Sequence, residues 1–142
     1  MDLFKLLKTE LGAPLPGRGY QLMMAPKHSR EFPQPAAGYI DAAVALILQS
    51  SGDGIAECIL IRRPDYDGPH SGQVSFPGGK ADPADSSLYQ TAVRETREEI
   101  GLGLLETEYA GCLTPLEIQI SGFRIYPFVF YTSRSVDLQA DP

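Results

Sequence analysis

The stretch Arg94-Glu95-Thr96-Arg97-Glu98-Glu99-Ile100-Gly101-Leu102 constrains this chain more than any other. It closes the one strongly helical segment, Leu88 to Ile100. Ser87-Leu88-Tyr89-Gln90 fits an S-x-x-Q capping box at the start, and Gly101 supplies the stop. At about 100° per residue, Leu88, Ala92, Val93, Thr96 and Ile100 fall on one arc and are predicted to face a core. Glu95, Glu98 and Glu99 fall within an adjoining arc of about 100°. Carboxylates spaced i, i+3 and i+4 repel one another by roughly 0.2–0.5 kcal/mol per exposed pair. Taken alone, such a patch reads as a solvated helix face, with Arg94 placed to pair with Glu98 and Arg97 nearby. The same oxygen cluster also suits a hard divalent cation, Mg²⁺ or Mn²⁺.

The residues upstream shift that balance. Phe76-Pro77-Gly78-Gly79-Lys80 leads into the helix through a loop. A lone Pro-Gly-Gly is ordinary turn chemistry. Two glycines also let backbone approach a ligand closely, and a carbonyl there can serve as an oxygen donor. A strand, a glycine loop and a helix with three clustered carboxylates together describe a site for phosphate and metal. The charge balance agrees. Twelve basic against eighteen acidic residues give a net charge of −6. Nothing supplies the clustered basic face that nucleic acid requires. An acidic protein acting on an anionic substrate needs a cation between the two.

With 142 residues, 43% of them hydrophobic, the chain is expected to form a single domain over 1–142, with an N-terminal helix and irregular arm over 1–38 and a core over 39–142. The longest apolar run, 42–48, is strand-sized, so no membrane span is expected. The N-terminus lacks the features of a signal peptide, and Cys58 and Cys112 sit in apolar contexts that predict buried thiols; a cytoplasmic location is therefore expected. A short amphipathic helix is predicted over 2–11, with Leu3, Leu6, Leu7 and Leu11 on one stripe and Gly12 as stop. The Pro- and Gly-rich segment 13–38 reads as irregular, with Met23 and Met24 packed down. Strands are predicted over 42–49, 55–62, 73–76, 108–113, 117–120 and 124–132, with a turn at 50–54 and a polar loop at 64–71. The result is an α+β pattern with strands on both sides of one central helix.

Gly79 through Asp85 to the segment 94–102 resembles the signature of the Nudix hydrolases: a glycine, an acidic loop residue, then Arg-Glu-apolar-any-Glu-Glu-any-Gly-apolar. Asp85 stands where most members carry Glu, eight residues rather than seven separate it from Arg94, and Thr96 is more polar than the usual residue. Those departures resemble the coenzyme A pyrophosphatase branch. Leu60-Ile61-Arg62-Arg63-Pro64 and His70-Ser71-Gly72-Gln73-Val74-Ser75-Phe76-Pro77-Gly78-Gly79 are similar to the motif that precedes the box in that branch, with Gly68 where the branch pattern has Arg.

The resemblance implies a Nudix-type α/β/α sandwich with a mixed sheet. Further strand and a C-terminal helix normally follow in that fold, so their place after 124–132 is read as a truncation. It also implies metal-dependent hydrolysis of a diphosphate, with coenzyme A or an acyl derivative cleaved to 3′-phosphoadenosine 5′-phosphate and 4′-phosphopantetheine. Glu95, Glu98, Glu99 and the Gly79 carbonyl would hold Mg²⁺ or Mn²⁺, and Glu95 or Glu98 would be the base. Arg94 would orient a helix carboxylate. Arg62, Arg63, Lys80 and Gly78 would meet substrate, and a homodimer is compatible with the resemblance. For His70 a loop-structuring hydrogen bond is the expectation, and for the strip Tyr126, Phe128 and Phe130 core packing. Gly68 keeps other nucleoside diphosphate derivatives open, ADP-ribose and NADH among them. A catalytically silent Nudix-like binding module is the reading from a different class.

Overall fold

The computed structural model describes residues 2–26, 34–51, 55–63, 67 and 72–139. The predicted helix at the N-terminus, α1 (Leu3–Gly12), is capped by the Asp2 carboxylate, which accepts from the Lys5 N–H. A second helix, α2 (Arg18–Met24), follows where an irregular arm was expected. Strand β1 (Ile40–Ser50) extends the predicted 42–49 strand at both ends. The predicted 55–62 strand is two pieces. β2 (Ala56–Ile59) pairs antiparallel with the upper half of β1, and β3 (Ile61–Arg62) leaves that sheet to pair with β4 (Val74–Ser75). The break falls at Leu60, which is exposed.

The glycines expected to lie in a loop instead form a strand, β5 (Gly78–Lys80), antiparallel to the lower half of β1 at Ala42–Val44. Then come α3 (Leu88–Ile100), with the predicted bounds, a 3₁₀ turn (Glu106–Glu108), β6 (Tyr109–Cys112), β7 (Leu116–Ile118) and β8 (Phe123–Thr132). β8 runs parallel to β1 over ten register pairs and carries β6 and β7 antiparallel on its other side. The sheet is therefore mixed, as a parallel neighbour reached through a long crossover requires.

Alternation along β8 places the helices. Phe128 and Phe130 meet Tyr89 of α3, with ring centroids 5.9 and 5.8 Å apart. Tyr131, one residue along and so on the other face, stacks on Phe4 of α1 at 6.2 Å. The sheet thus lies between α3 and α1, and the α/β/α order follows. The core on the α3 side is built from Ala43, Ala45 and Ile47 of β1, Phe130 of β8, and Ala92 and Ile100 of α3. The strip predicted as core is core at Phe130, which is fully buried, while Tyr126 and Phe128 are half-buried.

Two packing expectations are corrected. Met23 and Met24 are not packed down but 72% and 88% exposed. α2 docks through its polar residues: Gln21 Nε2 donates to the Thr114 carbonyl at 3.0 Å and Arg18 pairs with Glu117, so the methionines turn outward. Nor is either thiol fully buried. Cys58 is exposed on β2, which has only β1 as a neighbour in the sheet, and Cys112 is half-buried, its thiol directed at the Leu113 carbonyl. No helix among the described residues is long and apolar enough to cross a membrane.

Candidate active site

α3 begins as its sequence dictates, with the Ser87 hydroxyl accepting from the Gln90 N–H at 3.3 Å, and ends on Gly101 at φ 68°. Ala92, Thr96 and Ile100 are buried against the sheet as predicted, and Leu88 and Val93 are half-buried beside them. Thr91 is a buried residue that the apolar pattern did not mark. Its hydroxyl donates to Asp85 at 2.8 Å, so this polar group is satisfied in the interior. Thr96, the polar departure in the motif, likewise bonds the Ala92 carbonyl at 2.8 Å.

With that face fixed, Glu95 and Glu99 lie along β5. Each glycine of the pair has its own reason. A Cβ on Gly78 would stand 2.3 Å from the Ala43 carbonyl oxygen and 2.6 Å from the Val44 Cα, so β1 can pair this closely only with glycine there. A Cβ on Gly79 would stand 2.5 Å from the Glu95 carboxylate carbon, so the second glycine makes room for that side chain. The Gly78 N–H donates to Glu99 Oε2 at 2.8 Å. Register assigns the remaining peptide groups. Ala45 N–H bonds the Pro77 carbonyl and Ala81 N–H the Asp41 carbonyl, and alternation then gives the Gly79 peptide groups to Ala43. The Gly79 carbonyl, expected to be a metal ligand, therefore accepts one hydrogen bond within the sheet and keeps its second lone pair. Gly78 turns its N–H away from β1, towards Glu99.

Arg94 organises the other two carboxylates. Its Nε and Nη2 form a two-pronged pair with Asp85, both at 2.9 Å, and its Nη1 donates to Glu95 Oε1 and Glu98 Oε2, both at 2.9 Å. The guanidinium beside Asp85 holds that carboxyl well below the usual carboxylate range, and the same pairing raises the Arg94 pKa. Asp85 also accepts from the Asp82 N–H and the Thr91 hydroxyl, which ties the 82–85 turn to the helix. Arg94, expected to orient one helix carboxylate, contacts two at once. Sequence reasoning missed the support from Thr91, because no periodicity marks a buried hydroxyl aimed at a loop.

Burial pushes the Glu99 pKa up. The Gly78 N–H and Arg63 oppose that shift, and Glu95 and Glu98 add to it. Arg63 is thus close enough to be felt at the cluster, whereas Arg62 is exposed on β3. Lys80 is also exposed, and its carbonyl accepts from Arg94 Nη2 at 3.4 Å. The side chain of Glu98 is 55% exposed and that of Glu95 18%. A hollow of about 520 Å³ opens at this surface, lined by Gln90, Val93, Arg94, Arg97 and Glu98. Gly68, His70 and His28 lie outside the described residues, as does most of the 64–71 loop.

The donor chemistry fits a hard divalent cation. Glu95 and Glu99 lie at one strand edge with Glu98 beside them on the helix, all donors are oxygen, and Arg94 engages only one oxygen each of Glu95 and Glu98. No tight group of three acidic, His or Cys side chains is preformed among the described residues; Arg94 and Gly78 hold the carboxylates instead.

Residues 38–141 match the family model of the NUDIX domain. The chain belongs to the Nudix family. A Yersinia enterocolitica protein named as an uncharacterized Nudix hydrolase, NudL, is 49% identical over 71 residues, which are 50% of this chain and 36% of that protein. Its Yersinia pestis counterpart is 46% identical over 71 residues and 35% of its length. The match thus spans little more than a third of these relatives. Among solved structures, a MutT protein from Methanosarcina mazei shares 28% identity with a TM-score of 0.54, covering 73% of this Nudix chain and 70% of its own. A MutT/nudix family protein from Enterococcus faecalis aligns with 99% of this chain and 52% of its own, with a TM-score of 0.62; at 18% identity that likeness concerns the fold alone.

Proposed function

We propose that this Nudix chain hydrolyses the diphosphate of a nucleoside diphosphate derivative in a metal-dependent reaction, with coenzyme A or an acyl derivative as substrate. One observation carries the reading: Glu95 and Glu98 share a single nitrogen of an Arg94 that Asp85 holds in place, while Glu95 and Glu99 lie against the glycines of β5. A purely structural helix has no use for three mutually repelling carboxylates supported in this way. In this reading Glu95, Glu98 and Glu99 hold Mg²⁺ or Mn²⁺. When bound, the cation neutralises the diphosphate and lowers the pKa of a water.

The chain's own residues do the rest. Glu98, the most exposed of the three, takes the proton of the attacking water, a contribution of roughly 10²–10⁴-fold. Arg94 keeps Glu95 and Glu98 in register, and Arg63 and Lys80 meet the phosphate oxygens. The coenzyme A assignment draws on the sequence at 60–64 and 70–79 that resembles that branch. Incubation with coenzyme A and Mg²⁺ or Mn²⁺, with ADP-ribose and NADH in parallel, tests the reading by mass spectrometry. The expected products are 4′-phosphopantetheine and 3′-phosphoadenosine 5′-phosphate, absent with Glu98→Gln. Cleavage of ADP-ribose or NADH alone would retain the diphosphatase and remove coenzyme A. Metal binding without cleavage of any of them would favour a silent binding module.

A further inference from the structure

The aromatic strip of β8 leaves the core towards the start of the strand. Phe130 is fully buried and Phe128 packs on Tyr89 of α3, but Tyr126 is half-buried and lies outside that cluster. Two residues further on, charge replaces the core. Asp41 of β1 and Arg124 of β8 are register partners and form a two-pronged pair, Nε to Oδ1 at 2.8 Å and Nη2 to Oδ2 at 3.2 Å. Glu117 of β7 flanks Arg124 on the other side and pairs with Arg18 of α2. Asp41 shares its face with Ala43 and Ala45, and Arg124 with Phe128 and Phe130, so this row lies on the α3 side of the sheet. Leu116 and Ile118 of β7 register beside Ile125 and Phe123 on the opposite face.

This polar shelf borders the carboxylates. Gly79, Ala43 and Tyr126 form one row across β5, β1 and β8, and Glu95 lies against Gly79 at the far end of it. Two strand spacings place the Tyr126 backbone roughly 10 Å from Gly79. The Asp41 and Arg124 side chains are each 36% exposed, so solvent reaches the shelf. A hollow of about 1010 Å³ opens there, lined by Arg124 and Tyr126 with Arg18 and Gln21 of α2, Thr114 and Glu117 among its polar residues. Arg124 lies 5.6 Å from the centre of the Tyr126 ring. Because Asp41 takes Nε and Nη2, Nη1 of Arg124 is left without a hydrogen-bond partner among the described residues.

We propose that the shelf seats the base of the nucleoside whose diphosphate lies at the α3 carboxylates, with Tyr126 as the stacking surface and Arg124 Nη1 as the donor to the base edge. The proposal rests on the diphosphatase reading above and places the half of the substrate that this reading leaves without a seat. Charge selects that half. Asp41 and Glu117 offset Arg124 and Arg18, so the row holds no spare cation for a phosphate. A base brings a π-face for Tyr126 and ring acceptors for Arg124, and the Asp41 pair fixes Arg124 beside the ring before any ligand arrives. The test is an NMR titration in EDTA of the chain with labelled tyrosine, the Tyr126 signals being those absent from Tyr126→Phe. Adenosine 5′-monophosphate supplies the base, and ribose 5-phosphate the same sugar and phosphate without it. The first is expected to move the Tyr126 ring signals upfield and the second to leave them in place. By calorimetry, affinity for adenosine 5′-monophosphate should fall roughly tenfold in Tyr126→Leu and be retained in Tyr126→Phe. If Tyr126→Leu fails to fold, the signals of the unmodified chain still decide. Tyr126 signals that ignore adenosine 5′-monophosphate, or that respond equally to ribose 5-phosphate, overturn the proposal. A base-dependent shift upholds the shelf even if no diphosphate is cleaved, in which case the diphosphatase reading fails alone. Cleavage of coenzyme A by a chain whose Tyr126 does not sense the base removes the shelf alone.

Discussion

At the scale of single residues, Gly78 and Gly79 separate folding from chemistry. The atoms that a Cβ on Gly78 would strike are backbone, which cannot yield, so Gly78→Ala is expected to cost about 1–3 kcal/mol, read as a lowered denaturant midpoint. The atom that a Cβ on Gly79 would strike is the flexible end of Glu95. Gly79→Ala is therefore expected to leave the denaturant midpoint nearly unchanged while weakening Mn²⁺ binding, measured by electron paramagnetic resonance. Arg94 gives a third case. Lysine cannot reproduce a planar fork that engages Asp85 on one side and two glutamates on the other. Arg94→Lys should lower kcat by about 10–100-fold with KM little changed, the size of effect found when a group that orients metal ligands is lost. Equal kcat values would show that the guanidinium serves only to neutralise charge.

At the scale of elements, what the sequence reveals depends on whether an element is specified locally. α3 is legible to the residue because capping box, apolar arc and terminal glycine all act within one segment. Glu95, Glu98 and Glu99 follow from the same periodicity. β5 is illegible because glycine has no side chain to show alternation, and its partner Ala42–Val44 lies far away in sequence. α2 is illegible for a related reason: a seven-residue helix between Pro- and Gly-rich stretches is held by distant groups, Thr114 and Glu117, that no local pattern announces. The Glu108–Arg134 clamp belongs here too, since it ties the end of β8 to the turn before β6, with Arg134 Nη2 also reaching the Gly103 carbonyl. Burial raises the Glu108 pKa, but Arg134, the Thr132 hydroxyl and the Leu105 N–H outweigh it and hold the carboxyl below its ordinary value. A lowered folded-state pKa contributes stability that is full above the ordinary value of about 4.3 and lost as pH falls through the folded one. Glu108→Gln should therefore lower Tm at neutral pH, and the gap to the unmodified chain should close on acidification through and below the carboxylate range. A pH-independent gap would contradict this account.

At the scale of the molecule, one mixed sheet does two things. Its buried face fixes α3 through Phe130, Ile47 and Ala92, so Phe130→Ala should cost about 3–5 kcal/mol in denaturant unfolding. Its β5 edge then sets Glu95 and Glu99 of that helix against a glycine strand, with Glu98 held beside them by Arg94. The apolar core and the acidic cluster are opposite consequences of one helical rotation, which is why the core residues could be read from the same segment as the site. The central claim is that Glu95, Glu98 and Glu99 form a divalent-cation site, and Mn²⁺ titration followed by electron paramagnetic resonance tests it most directly. The unmodified chain should bind Mn²⁺, with affinity falling at least tenfold in each of Glu95→Gln, Glu98→Gln and Glu99→Gln and binding lost when all three are replaced. A triple variant that still folds and binds Mn²⁺ as the unmodified chain does would contradict the account.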